Sequence, residues 1–111
     1  MSREDIVALK ESFAGCSKVL DALASKVRQE IILQLASVYP NGLRVNEIKM
    51  SKCITRPTMS HHIKLLFKAG LLDCKRVGTK NYYTLSTSIA QINLIQELLD
   101  RMKEFSHDSS N

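Results

Sequence analysis

The chain has 111 residues, of which 44% are hydrophobic and 24% are charged, and its formal net charge is +5. This length suits one domain, and the composition is that of a globular protein rather than a disordered one. No apolar run approaches the ~18 residues that a membrane span needs, and the first five residues are too polar and acidic for a secretory signal. We therefore expect a single domain, residues 1–111, in the cytoplasm.

The positive charge is concentrated in one third of the chain. Residues 52–80 contain seven basic residues and one acid, Asp73, a net charge of +6. The remainder contains nine basic and ten acidic residues, a net charge of −1. Such a cationic segment is typical of phosphate binding, whereas the alternative is a solvated basic surface that only confers solubility.

Helical patterns fill the first half of the chain. Ser2 is a good N-cap for a first helix, and Gly15 is expected to end it. A second, short helix is predicted from Ser17. Ser25 then caps a third helix, which the Pro-Asn-Gly turn at 40–42 ends.

Residues 44–69 are predicted to form a helix-turn-helix. Leu43, Val45 and Ile48 favour a short fourth helix, and Thr55 caps a fifth helix that Pro57 stiffens in its first turn. At about 100° per residue, the fifth helix has two different sides. The apolar side, which should face a core, comprises Met59, Ile63, Leu66 and Gly70. The opposite side comprises Pro57, His61, Lys64 and Lys68. In a helix-turn-helix, the N-terminal residues of the second helix meet base edges in the major groove.

A basic hairpin follows at residues 71–85. Its two strands alternate in polarity and flank Gly78-Thr79, a two-residue loop that suits a type II′ turn. Beside a recognition helix such a hairpin is a wing. The fold class is therefore mainly α with a small β-hairpin: a winged helix-turn-helix of five helices, two strands and a last helix.

The last helix, predicted over residues 88–105, carries more apolar surface than docking onto its own domain requires. With the first helix, residues 1–16, we expect it to form a two-fold homodimer interface. The interface residues expected are Ile6, Phe13, Ile92, Ile95, Leu99 and Met102. The alternative is that both faces are buried within one subunit. Residues 106–111 are expected to form a disordered tail.

Between about residues 20 and 86 the sequence resembles the ArsR/SmtB family of dimeric winged-helix repressors. The most specific matches are Arg56-Pro57-Thr58-Met59-Ser60-His61-His62-Ile63, Ala69-Gly70-Leu71 and Tyr82-Tyr83-Thr84-Leu85. The resemblance implies a homodimer, with the first and last helices at the dimer seam, that represses a promoter until an inducer binds.

The usual metal sites of that family are missing from the sequence. Where arsenic, cadmium and lead sensors have Glu-Leu-Cys-Val-Cys-Asp-Leu, this chain reads Gly42-Leu43-Arg44-Val45-Asn46-Glu47-Ile48, without thiolates. Residues 88–105 contain no His or Cys for the site used by zinc and nickel sensors. We expect no metal and no cofactor, and the inducer is unknown. His61 and His62 point about 100° apart on a helix and are not expected to chelate one ion.

Three cysteines, Cys16, Cys53 and Cys74, form no Cys-x-x-Cys pair, and reduced thiols are expected. They could serve as a redox or persulfide switch, but the simpler interpretation is that each is a small apolar residue.

The sequence thus predicts a repressor that binds an inverted repeat in double-stranded DNA. The expected DNA-contacting residues are Lys52, Thr55, Arg56, Pro57, Thr58, Ser60, His61, Lys64, Lys68, Lys75, Arg76, Gly78, Thr79 and Lys80. Among these, Arg56, Thr58, Ser60 and His61 are expected to read bases. One alternative is a winged helix used only for protein contacts. An enzyme is not expected, because the chain has no phosphate-binding glycine loop and no nucleophile elbow.

Overall fold

A computed structural model describes residues 2–109, with side chains described through Ser106. Its elements are α1 (Arg3–Leu23), α2 (Lys26–Val38), a 3₁₀ turn (Val45–Glu47), α3 (Arg56–Lys68), β1 (Leu72–Val77), β2 (Lys80–Leu85) and α4 (Ala90–Ser109). The predicted architecture, mainly helical with one antiparallel hairpin before the last helix, is confirmed. None of the described helices is long and apolar enough to cross a membrane.

The first two predicted helices are one continuous helix, α1. Ser2 caps it as predicted: its hydroxyl accepts from the Asp5 amide, and the Asp5 carboxylate accepts from the Ser2 amide, both at 3.1 Å. These hydrogen bonds lower the pKa of Asp5. The predicted break at Gly15 was wrong, because the buried stripe continues beyond it through Cys16 and Val19. Burial of that stripe outweighs the roughly 1 kcal/mol that an internal glycine costs a helix.

The predicted fourth helix was also wrong. Leu43 forms an antiparallel bridge with Tyr83 of β2, in which each amide donates to the other's carbonyl at 3.0 and 2.8 Å. The bridge requires extended backbone at Leu43, so only a short 3₁₀ turn forms between it and the buried Ile48. The helix-turn-helix predicted at 44–69 is therefore a 3₁₀ turn, a loop and α3.

The core lies between α1, α2, α3 and the base of the hairpin. Its most deeply buried members include Val19, Ile31, Leu35, Ile63 and Leu66. The predicted apolar side of α3 is confirmed, since Met59 is also buried and exposes only 5% of its surface. Gly70 ends the helix with φ +80°, a conformation that glycine adopts without strain.

The hairpin has the predicted two-residue loop, since Val77 pairs with Lys80. Gly78 has a φ of +63°, and no described non-glycine residue, Thr79 included, has a positive φ. A positive φ at the first loop position alone agrees with a type II′ turn.

Helix α4 packs along α1 and buries Leu98 between them. It begins at Ala90 and continues through Ser109, so the predicted end at Phe105 was too early, and the predicted tail at 106–111 overlaps this helix. Residues 110 and 111 lie outside the described part of the chain. Because α1 and α4 are long, the molecule is elongated, at 55 × 28 × 22 Å.

Both helices keep exposed apolar side chains after packing on each other. Five of the six residues predicted for the dimer interface are exposed, namely Ile6, Phe13, Ile92, Leu99 and Met102, with exposures of 43 to 59%. The sixth, Ile95, packs partly against the protomer's own core. Burial of both faces within one subunit is therefore not what the structure shows.

Candidate nucleic-acid interface

The outer side of α3 is polar, cationic and accessible. All fourteen residues predicted to contact DNA are exposed. The side chains of Arg56 and Lys64 form no hydrogen bond or ion pair with the part of the chain that the structure describes. These side chains are therefore available to an external partner, while the inner side of the same helix is fixed by the core.

The start of α3 is shaped by Thr55. Thr55 takes the extended N-cap conformation, but its hydroxyl donates to the Thr58 hydroxyl at 2.9 Å rather than capping a backbone amide. Pro57 lies in the first turn as predicted. The first amides of α3 therefore have no side-chain cap from Thr55, and the positive end of the helix dipole is open to an anion.

Two side chains of α2 hold the loop that leads into α3. The Glu30 carboxylate accepts from the Ser51 amide at 2.6 Å and from the Ser51 hydroxyl at 3.0 Å. One turn further along α2, Gln34 accepts from the Lys49 amide at 2.6 Å and donates to the Lys49 carbonyl. These contacts from α2 support the turn at the place where a fourth helix was predicted. They are not evident from the sequence pattern.

The basic residues of the wing lie on two faces. Residues that pair across the strands share a face, so Lys80 lies with Val77 and Lys75, while Arg76 lies on the other face opposite Asn81. The Arg76 guanidinium donates to the Gly78 carbonyl at 3.1 Å and lies along the turn. The structure therefore does not bring the predicted wing cations onto one surface.

Lys68 is the predicted α3 residue farthest from the N-terminal end of the helix. It lines a groove of about 140 Å³ with Lys18 and Asp21 of α1. At 1.5 Å per residue it lies about 18 Å along the helix axis from Arg56. Lys68 and Arg56 would therefore contact different parts of a duplex.

A buried arginine, which the sequence analysis missed, connects α3 to the other helices. Arg28 of α2 is 9% exposed, and its guanidinium lies 3.1 Å from Nδ1 of His62 on α3. Burial lowers the pKa of His62, and the charges of Arg28 and then His61 lower it further. Of the two adjacent histidines, His62 is turned inward toward Arg28, whereas His61 is exposed. The sequence signal for Arg28 was its position between Val27 and Ile31 on the apolar face of a helix.

The three cysteines are free thiols on three separate segments. Cys16 is buried in α1 and donates to the Ser12 carbonyl at 3.1 Å, whereas Cys53 and Cys74 are exposed. Cys74 lies opposite Tyr83, whose pKa is raised by burial and by this neighbour. Of the candidate redox residues, only Cys53 and Cys74 are accessible to an oxidant.

Among the side chains that the structure describes, those of residues 2–106, no group of three or more His, Cys, Asp or Glu is arranged to hold a metal ion. Arg44 starts the 3₁₀ turn, and its amide donates to the Glu47 carboxylate at 2.8 Å. That this protein functions without a metal ion stays a prediction.

Known proteins resemble this chain over most of its length. No protein-family model matches it. An uncharacterized HTH-type transcriptional regulator, MJ1325 of Methanocaldococcus jannaschii, is 30% identical over 95 residues, covering 79% of this chain and 99% of the relative.

Several solved structures share the fold. An ArsR-like transcriptional regulator from Rhodococcus sp. RHA1 superposes with a TM-score of 0.73 at 21% identity, covering 90% of this chain and 88% of the other. The homodimeric winged helix-turn-helix DNA-binding domain of Mb0332 from Mycobacterium bovis, a possible ArsR-family regulator, gives 0.58 at 23% identity, covering 96% and 93%. The chain therefore belongs to the HTH-type transcriptional regulators, with the winged helix-turn-helix fold of the ArsR family.

Proposed function

We propose that this protein is a sequence-specific regulator that binds double-stranded DNA as a homodimer and represses transcription from an inverted-repeat operator. The observation that carries the proposal is the division of α3 into a side fixed in the core and a side of exposed, cationic and hydrogen-bonding residues. A helix held in this way can enter a major groove without losing its own packing.

Base readout is assigned to the first turns of α3. Arg56 can grip guanine through two hydrogen bonds, and the Thr58 methyl can contact thymine. Ser60 and His61 follow on the exposed side. The proposed phosphate contacts are Lys52, Lys64, Lys68, Lys75, Arg76 and Lys80. Gly78 and Thr79 bring the wing turn close to the duplex.

The second copy of the chain covers the exposed apolar faces of α1 and α4. Supporting this are the exposed side chains on both helices and the homodimeric state of Mb0332. An inverted repeat follows from a two-fold dimer, because matching helices then meet matching half-sites. The proposed regulator does not respond to metal through the usual sites of the family, since Arg44 and Asn46 occupy the thiolate positions.

The decisive test compares binding of the protein's own upstream region with binding of a random duplex of the same length, at two salt concentrations. We expect tighter binding to the upstream region and a steep loss with salt, because each phosphate contact releases condensed counterions. A winged helix that contacts only proteins would show no steep salt-dependent binding to either duplex. That result would contradict the proposal.

The proposal includes no catalysis and a cytoplasmic location. Turnover of any small substrate by the purified protein would contradict the first part. Operator affinity of reduced and oxidised protein would test whether Cys53 and Cys74 regulate binding: loss on oxidation would add thiol sensing to the function.

A further inference from the structure

Arg28 is a buried cation held by neutral groups. Its Nε donates to the Ala22 carbonyl at 2.8 Å, one terminal nitrogen donates to the Asp21 carbonyl at 3.0 Å, and the other lies 3.1 Å from Nδ1 of His62. Among residues 2–106, whose side chains are described, no carboxylate forms an ion pair with it. Because a guanidinium does not lose its proton in proteins, these three acceptors are what make its burial tolerable.

The three acceptors belong to two helices, α1 and α3. The carbonyls of Asp21 and Ala22 lie in the last turn of α1, where the helix dipole is negative and favours a cation. His62 lies in the middle of α3 and is half-buried, whereas its neighbour His61 is exposed. One side chain of α2 thus joins the end of a proposed dimerisation helix to the proposed recognition helix.

The contact fixes the protonation state of His62. A guanidinium has only donors, so Nδ1 must accept, and the neutral ring carries its proton on Nε2. Protonation would place two donors and two positive charges 3.1 Å apart. Of the titratable groups on α1, α2 and α3, Arg28 and His61 are those whose charges act on His62, and both oppose its protonation.

We propose that Arg28 and His62 are a positioning pair that sets the angle of α3 relative to α1, and that specific DNA binding requires the neutral form of His62. The inference rests on the proposed role of α3 in DNA recognition. It adds residues that touch no DNA and a dependence on pH.

The sign of the pH dependence follows from the direction of the pKa shift. The pKa of His62 in the folded protein is lower than its ordinary value of 6.5, so protons favour the state in which the contact is broken. The contribution of the contact is fully present above pH 6.5 and is lost as pH falls from there through the lower, folded-state pKa.

The experiment measures fluorescence anisotropy with two labelled duplexes, one selected by the wild-type protein from a random pool and one random. The readout is the ratio of the two affinities as a function of pH. For wild type we expect a constant ratio above pH 6.5 and a falling ratio below it. For His62→Asn we expect a wild-type ratio at neutral pH without that fall, since the Asn carbonyl can accept in place of Nδ1 and does not titrate.

Two further variants separate positioning from folding. His62→Leu removes the acceptor, and we expect its ratio to drop about tenfold at neutral pH, the size of one hydrogen bond to a charged group. Gln29→Met is the matched control: the exposed Gln29 donates from α2 to the Leu23 carbonyl at 2.8 Å and forms no hydrogen bond to α3, so its ratio should not change. Circular dichroism melts confirm that each variant is folded.

A ratio in wild type that is flat with pH, or an identical fall in His62→Asn, would overturn the positioning pair. Equal affinity of wild type for the two duplexes at neutral pH would instead contradict the proposed function. Since His61 is present in both proteins, the difference between wild type and His62→Asn isolates the effect of His62. If His62→Leu does not fold, the comparison of wild type with His62→Asn still tests the positioning pair.

Discussion

At the scale of single residues, Arg56 and Lys80 are proposed to make two different kinds of contact with one duplex. Arg56 is exposed in the first turn of α3, where a planar guanidinium can meet a base edge. Lys80 is exposed at the start of β2, beside the wing turn. The first is proposed to select a sequence, and the second only to contribute charge.

Arg56→Ala should therefore cost about 1–3 kcal/mol on the preferred operator and relax base choice at one position. Lys80→Ala should weaken all sequences alike and reduce the salt slope by about one unit. Binding titrations on specific and random duplexes at several salt concentrations measure both effects. Equal losses on the two duplexes for Arg56→Ala would remove Arg56 from base readout.

Gly42 and Gly15 provide a matched pair of substitutions whose effects on the free energy of unfolding should be opposite in sign. A Cβ on Gly42 would lie 3.0 Å from the Tyr83 carbonyl, which is fixed by the bridge to Leu43, and 3.1 Å from two side-chain atoms of β2. A Cβ on Gly15 would meet nothing within 4 Å. Gly42→Ala should therefore destabilise the fold by about 1–3 kcal/mol, and Gly15→Ala should stabilise it by about 0.5–1 kcal/mol.

Urea unfolding at one fixed protein concentration measures both glycine variants, because the proposed dimerisation would make stability depend on concentration. Unchanged stability of Gly42→Ala would show that the backbone at the bridge can shift. A loss in Gly15→Ala would show that α1 is less regular there than the structure indicates.

At the scale of elements, α3 could be predicted from sequence because its pattern is local. Met59, Ile63 and Leu66 recur at helical spacing, and Gly70 ends the helix. The support beneath it could not be predicted in this way. The contacts from Glu30 to Ser51 and from Arg28 to His62 join residues 21 and 34 positions apart.

The errors at Gly15 and at the fourth helix have the same origin. Gly15 has the propensity of a helix terminator, but tertiary burial of Cys16 and Val19 keeps α1 continuous. Leu43 and Ile48 fit a helical spacing, but the pairing of Leu43 with Tyr83 forces extended backbone. In both places a contact distant in sequence outweighed a local preference.

The loop before α3 gives a test at this scale. Glu30→Ala removes both hydrogen bonds to Ser51. It should cost roughly 1 kcal/mol of stability, the usual size for partly exposed hydrogen bonds. It should also weaken operator binding, because the start of α3 is then held less firmly. Ser37→Ala is the control, because the Ser37 hydroxyl bonds only within α2, to the Gln34 carbonyl. Thermal unfolding and operator titration measure both variants. Wild-type operator affinity for Glu30→Ala would show that the loop does not position α3.

At the scale of the whole molecule, the exposed apolar faces of α1 and α4 are proposed to set the spacing of two copies of α3 on one duplex. Leu99 on α4 is 46% exposed, and Leu33 on α2 is 70% exposed. Only the first lies in the proposed interface. Since neither side chain is part of the core, a change at either should leave the protomer folded.

Leu99→Glu should therefore produce a folded monomer, and Leu33→Glu should remain a dimer. Loss of two buried leucines across a two-fold axis predicts a dimer weakened roughly a hundredfold or more. Sedimentation equilibrium measures the effect. A monomeric Leu33→Glu together with a dimeric Leu99→Glu would place the interface elsewhere.

The central claim, two α3 helices in successive major grooves of one duplex, is tested most directly by hydroxyl-radical footprinting on the upstream region together with the stoichiometry of the complex. The account predicts two chains per duplex and two protected segments centred about 10 base pairs, or one helical turn, apart. One chain per duplex, a single protected segment, or no protection would contradict it.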